Sequence, residues 1–458
     1  MKITEIKIDD YRQFKNIKFD FTYPEGHAKA GEPLEKVCFI GQSGTGKTTL
    51  LNIIWSFFVI GDDGYQIYSR KQLNRSTSVE PYRIFENVVV TAESNKNSVV
   101  LDNSLFENYK DNLFENMSIV ASSVEWILKE NIREDIENSR KLCLYVDDSS
   151  INHSYTLTAN RIDNDFGSNN FVVNSNDIFL ANEKREEAIS KLSKSKIVAL
   201  QSSDSRYLWS YILSDIDRYD ENLKKIAIDL IQKNGSFSPN RLADKLSKWQ
   251  EENPNPKVDI ADNCLNPILS KFFLEVDIEG TEAPIVIKTK DGTSLTYNTL
   301  STGTKQLLVT AIAIYKSQIE SGVILFDEPE RSLFPDIQRE LVKYYTSLAP
   351  KAQFFYATHS PIIAAAFEPC ERFILYFDEN GQVKFHRGVA PEGDDPNDIL
   401  RQDFDMSELM LEKGVKEYER YRRLGMEIRE EANAEKKNQL IAERLELGNR
   451  YNFAGRNA

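Results

Sequence analysis

The chain has 458 residues, 41% of them hydrophobic and 28% charged, with a formal net charge of −14. That length and composition predict a soluble globular protein of two or three structural units with a substantial core. The acidic balance argues against broad nonspecific nucleic-acid binding, no apolar run reaches the length of a membrane span, and four scattered cysteines (Cys38, Cys143, Cys264, Cys370), in no metal-like or disulfide-like spacing, fit a reducing cytoplasm.

The N-terminus alternates like a strand and lacks the apolar core of a signal peptide. Residues 2–8 and 17–21 alternate with period two and predict paired strands. The apolar stretch 36–40 then runs into Gly41-Gln42-Ser43-Gly44-Thr45-Gly46-Lys47-Thr48, which fits G-x-x-x-x-G-K-[ST]. The glycines let the backbone curl so that successive N–H groups point at a β-phosphate. Lys47 would neutralise the β- and γ-phosphates, and the Thr48 hydroxyl would ligate Mg²⁺. Residues 50–55, following Thr49, read as the helix that such a loop must open. ATP and Mg²⁺ are therefore the expected cofactors.

A long middle, about residues 60–290, is rich in Asn, Ser and Asp, with loops expected at 147–152 and 163–170. It holds a short buried-strand candidate at 197–200 and helical spacing at 207–232 and 239–252. Lys184, Arg185, Lys191, Lys194 and Lys196 form a local basic cluster, which reads as a solvated helix face. From Pro284 the texture becomes strand, Asp291-Gly292 turn, strand. A helix (306–318), an unbroken apolar strand (323–326), a helix (335–348) and a strand (353–357) follow, the pattern of an α/β protein with a largely parallel sheet. Residues 407–451 combine dense charge with apolar residues at helical spacing and predict a helical hairpin broken near 432–434.

The apolar strand ends in Asp327-Glu328, at the edge where ligands of α/β sheets bind. Asp327 would share Mg²⁺ with Thr48, and Glu328 would orient and polarise the attacking water. His359, just past the next strand, is placed to hydrogen-bond the γ-phosphate or that water. Leu300-Ser301-Thr302-Gly303 opens a helix and offers a second anion site, although an ordinary N-cap would look the same.

This ordered set resembles the ABC-type ATPase heads of the SMC, Rad50, RecF and OLD group. So does the N-terminal strand leading into Tyr11-Arg12-Gln13-Phe14. Asp327-Glu328-Pro329-Glu330, strand 197–200 and the segment 395–400 before a helical tail look like the stand-alone ATPases of bacterial phage defence, the Septu (PtuA) and retron-associated families. The resemblance implies an ABC-type P-loop head with a mixed central sheet: 1–60 and 284–392 as the head, 61–283 as an α-rich insertion, and 393–458 as a helical region for oligomerisation or docking. It implies head-to-head dimers in which Ser301 and Gly303 touch the γ-phosphate held by a partner's Lys47. Ser332-Leu333 would form the D-loop, Arg12 would lie near the nucleotide, and Gln201 is the candidate Q-loop glutamine. Thr304 and Phe334 depart from the pattern, which bears on the rate of hydrolysis. The chain carries no zinc-hook cysteine pair, H-N-H cluster or TOPRIM-length unit. A nuclease, expected to be of HNH type, would therefore be a separate chain, with nucleic acid engaged through the complex. A RecF-like duplex-DNA-binding ATPase and a nucleotide-locked scaffold are the alternatives.

Overall fold

The computed structural model describes residues 1–61, 87–94, 97–102, 143–146, 197–200, 214–233, 239–280, 285–295, 299–406 and 408–453. Packing separates the chain into two units, Met1–Gly393 and Asp394–Ala458. The first unit opens with β1 (Lys2–Tyr11), β2 (Phe14–Asp20), β3 (Lys36–Gly41) and α1 (Lys47–Gly61). Then come β4 (Val88–Ser94), β5 (Asn97–Asp102), β6 (Cys143–Val146), β7 (Ile197–Leu200), α2 (Ser214–Lys233), α3 (Pro239–Glu252) and α4 (Pro256–Ile260). A small sheet of β8 (Leu274–Val276), β9 (Ile287–Thr289) and β10 (Ser294–Leu295) precedes α5 (Thr302–Ser317), β11 (Val323–Asp327), α6 (Pro335–Leu348), β12 (Gln353–Ala357), β13 (Arg372–Phe377) and β14 (Val383–Arg387).

Strands β2-β1-β4-β5 form an antiparallel sheet. A bulge between Ile3 and Glu5 shifts the phase of β1, so Ile3, Ile6 and Ile8 all turn inward. The second sheet runs β14-β13-β3-β12-β11-β6-β7 and is parallel except at the β13–β14 hairpin. Its inner strands are buried on both faces, which is why β3, β11 and β12 read as continuous apolar runs. Phe19 and Phe21 from β2 and its exit pack on Phe39, Phe355 and Phe373, fusing the two sheets and α1 into one core. The buried Gln353 amide adds a polar tie: it accepts from Ile3 N at 2.7 Å and donates to the carbonyls of Ile3 and Leu34, both at 2.9 Å. On the opposite face Phe326 stacks on Tyr345 of α6 with centroids 5.0 Å apart.

Four strands from between residues 61 and 283, β4 to β7, are thus built into the two sheets. Residues 256–265 of that span are tied to α5 and α6 by polar contacts: Tyr315 of α5 donates to Asp259 at 2.8 Å, and Tyr344 of α6 donates to the Cys264 carbonyl at 2.6 Å. The hairpin expected after Pro284 forms as β9 and β10, with Gly292 at φ +87° in the turn. The loops expected at 147–152 and 163–170, the basic cluster and Gln201 lie outside the described residues.

In the second unit, Asp395 caps α7 (Pro396–Gln402) by accepting from Asn397 N at 2.7 Å. The expected hairpin is α8 (Glu412–Glu430) and α9 (Ala434–Tyr451), broken where Asn433 caps α9. Tyr421, Leu424, Leu447 and Phe453 form its small core.

Candidate nucleotide site

The order β3-β12-β11 decides the site. These neighbouring parallel strands end at the same sheet edge, so the loops after them carry the phosphate-binding sequence, His359 and Asp327-Glu328 side by side. Arg12, Gln13, Ser43, Gly44, Gly46, Lys47, Thr48, Thr49, Asp327, Glu328, Ala357 and His359 line one cleft of ≈ 340 Å³.

The glycine requirements are explicit. Gly41 has φ +134°, and a Cβ there would lie 1.9 Å from the Leu375 carbonyl oxygen. Gly46 has φ +93°, and a Cβ would meet Gln13 Nε2 and Phe14 Cζ at 2.6 Å. Gly41, Gln42 and Thr45 do not line the cleft but brace the loop: Thr45 Oγ1 donates to the Gln42 carbonyl at 2.8 Å, and Gln42 N donates to Leu375 O at 3.3 Å. Gln13, noted in the sequence only as part of the lead-in, covers the loop by donating to Gly44 O at 3.1 Å. Arg12 stands at φ 51° in the β1–β2 turn and is exposed toward the cleft mouth.

Lys47 Nζ donates to the carbonyls of Gly41 and Gln42, each at 3.1 Å. Burial lowers its pKa to about 8, against the opposing pull of Asp327, Glu328 and Glu330. Thr48 Oγ1 donates to Asp327 Oδ1 at 3.2 Å. A hydroxyl and a carboxylate, both hard oxygen donors, fit Mg²⁺, so Thr48 and Asp327 are the residues that would hold it. When bound, that ion would neutralise negative charge developing on the phosphates.

Glu328 has φ 48° and is anchored by its N–H to Ala357 O at 2.9 Å. Its carboxylate and the His359 imidazole face each other across the cleft with Oε1 and Nε2 3.9 Å apart, both about two-fifths exposed. Burial, reinforced by Lys47 and opposed by Glu328, holds the His359 pKa below its ordinary value. A neutral imidazole beside a carboxylate suits hydrogen bonding to a water or a phosphoryl oxygen.

Ser301 and Gly303 are not among the cleft residues. Ser301 caps α5, accepting from Thr304 N at 3.1 Å, and its hydroxyl lies 2.8 Å from that of Thr304. Gly303 is buried against the loop after β11, where a Cβ would come 2.4 Å from Ser332 O. Ser332 itself has φ 63°, and the adjoining Phe334 is 71% exposed. Gln306 and Glu330, which the sequence reading gave no role, secure the same loop: Gln306 Nε2 donates to Pro329 O at 3.4 Å, and Glu330 accepts from Thr358 Oγ1 at 2.5 Å.

A phosphate loop, a hydroxyl–carboxylate pair and an opposed Glu–His pair on one edge of a mixed α/β sheet define an ABC-type P-loop head. Residues 1–364 match the AAA ATPase domain, and the chain belongs to that family. It is also similar to solved SMC heads. The Pyrococcus furiosus Smc head with an extended coiled coil, bound to the C-terminal domain of ScpA, is 14% identical, over 84% of this chain and 96% of that one, at a TM-score of 0.34. A SmcHead bound to the C-winged helix domain of ScpA is 12% identical over 84% and 97%, at 0.37. The Thermotoga maritima SMC head is 13% identical over 85% and 100%, at 0.36. Among the described residues no helix is long and apolar enough to cross a membrane.

Proposed function

We propose that this chain is the ATP-hydrolysing subunit of a bacterial antiviral defence complex. In this reading it closes head to head on a second copy and thereby gates a separate, HNH-type nuclease. The observation that carries the dimer is the placement of Ser301 and Gly303: Gly303 is packed on the Ser332 loop, Ser301 is exposed at the start of α5, and neither lines the cleft that holds Lys47 and Thr48. A second copy presenting that turn would complete the open side of the cleft with a hydroxyl and the N-terminus of a helix. Within the cleft, Lys47 and the loop amides bind the phosphates, Glu328 aligns water, and His359 contacts the γ-phosphate. The defence role is supported by the sequence resemblance at Asp327–Glu330 and 395–400, and the acidic charge favours reaching nucleic acid through a partner.

The test is light scattering of the purified chain with ATP and Mg²⁺, together with native-lysate purification of a tagged copy expressed with its genomic neighbours. Glu328→Gln should accumulate closed dimers, Lys47→Ala should form none, and a nuclease should co-purify in fixed ratio. ATP-dependent duplex-DNA binding by the isolated chain would replace this reading with the RecF-like one. If Glu328→Gln leaves assembly and biological activity unchanged, the nucleotide is a structural lock.

A further inference from the structure

Beyond the residues that face the cleft, the loop after β11 reaches across to the loop after β12 through one side chain. Glu330 Oε1 accepts from Thr358 Oγ1 at 2.5 Å and from His359 N at 3.1 Å. Thr358 Oγ1 in turn accepts from Ser360 N at 2.9 Å. Ser360 Oγ donates to Gln338 Oε1 at 2.7 Å, and Gln338 Nε2 donates to Leu333 O at 2.9 Å. The three residues Thr358-His359-Ser360 are therefore hung at both ends from the segment that follows Glu328. Thr358 is fully buried, and Glu330 Oε2 is buried with no hydrogen-bond partner among the described residues. Burying a carboxylate is costly unless hydrogen bonds compensate it, and here Thr358 Oγ1 and His359 N supply two.

We propose that Glu330 is a positioning residue for hydrolysis, holding the His359 backbone so that the imidazole stays opposite Glu328 across the cleft. Glu330 is not among the residues that line the cleft and acts through His359, and the proposal rests on the ATPase reading above. Besides the link through Gln338, two direct contacts join the loops among the described residues, the Glu328 N–Ala357 O bond and the Glu330 carboxylate. Only the second grips the backbone of His359 itself. Burial raises the Glu330 pKa, and the Thr358 and His359 donors pull it back toward the charged form, as expected of an acceptor placed to receive both. Among the described residues, the charged groups that line the cleft with His359 are Lys47 of α1, Asp327 and Glu328 at the end of β11, and Arg12 of the β1–β2 turn.

Three variants separate this role from a structural or purely electrostatic one. Glu330→Ala removes both acceptor bonds, Glu330→Gln removes the charge but keeps an acceptor oxygen, and Thr358→Val removes one bond at nearly constant volume. Steady-state ATPase kinetics should show kcat reduced at least about tenfold in Glu330→Ala, with KM little changed, since a misplacement of about 1 Å costs on the order of 100-fold. Glu330→Gln should recover most of the loss and Thr358→Val should fall between. Histidine-ring NMR at one fixed pH, with His359 assigned by a His359→Asn variant, gives a readout that needs no turnover. The His359 resonances should coincide in wild type and Glu330→Gln and be displaced in Glu330→Ala. Unmoved resonances in Glu330→Ala and Thr358→Val, or equal displacement in Glu330→Gln, would overturn the positioning role. Wild-type protein without turnover would defeat the ATPase reading, and the NMR comparison would still decide this one.

Discussion

Thr48 Oγ1 donates to Asp327 Oδ1 at 3.2 Å, closing the first turn of α1 onto the end of β11. This contact marks where a hard cation fits, because a small divalent ion takes oxygen donors from one or two side chains and completes its shell with phosphate and water. Thr48→Ala and Asp327→Asn should each abolish the gain in ATP affinity that Mg²⁺ confers, while binding in EDTA stays near the wild-type value. Titration calorimetry with and without the metal measures this directly.

Lys47 provides a pH signature. Its pKa of about 8 at this buried position lies below the ordinary lysine value, so raising pH through about 8 discharges it. Bound phosphates favour the ammonium. ATP binding at about pH 8.5 should therefore take up a fraction of a proton, and affinity should fall as pH rises through that range. Calorimetry in two buffers of different ionisation enthalpy reads the uptake, and Lys47→Ala should show none.

The loop glycines are not equivalent. At Gly44, φ +84° strains any Cβ, yet its nearest neighbour would be Phe377 Cζ at 4.0 Å. Gly46→Ala meets the same strain and also collides with Gln13 and Phe14. Gly44→Ala should cost about 1–2 kcal/mol of stability, and Gly46→Ala a further 1–3 kcal/mol or so with loss of nucleotide binding. Urea denaturation and fluorescent-nucleotide binding should rank the two in that order.

Glu371, at the opposite end of the sheet, predicts a pH-dependent stability term. Burial lifts its pKa to about 7, with Lys36 at 3.3 Å opposing the shift. The folded state thus binds more protons than the unfolded chain between the ordinary carboxylate range and about pH 7, so this term weakens as pH rises through that window. Glu371→Gln keeps an acceptor for Glu368 N, bonded at 2.8 Å, and removes the charge. It should gain on wild type by about 1–2 kcal/mol on going from about pH 5 to pH 8, as thermal melts at the two values would show.

The parts of the site that are local in sequence were legible there. Gly41 to Thr48 specify a backbone path through their glycines, and the apolar run 323–326 specifies a doubly buried strand that delivers Asp327 and Glu328 to its carboxyl end. The helical tail could be read because its break at Asn433 is a capping residue between two periodic segments. The span after α1 was harder: 197–200 was legible as an apolar strand, but polar Asn- and Ser-rich sequence hides β4, β5 and β6, and β4 and β6 find partners, β1 and β11, far away in the chain. Gln13 and Glu330 were missed as contributors because a glutamine in a turn and a second acid after a proline carry no periodicity or spacing signal.

The sequence by itself determined which chemical groups this protein has and which short backbone shapes present them, since both depend on neighbouring residues. Only the tertiary structure decided that β12 inserts between β3 and β11, which brings His359 within 3.9 Å of Glu328. It alone placed Gly303 against Ser332 instead of in the cleft, and Glu330 on the backbone of His359. Those relations follow from strand order and side-chain packing, which are set by burying the whole core at once and leave no mark on any single stretch of chain.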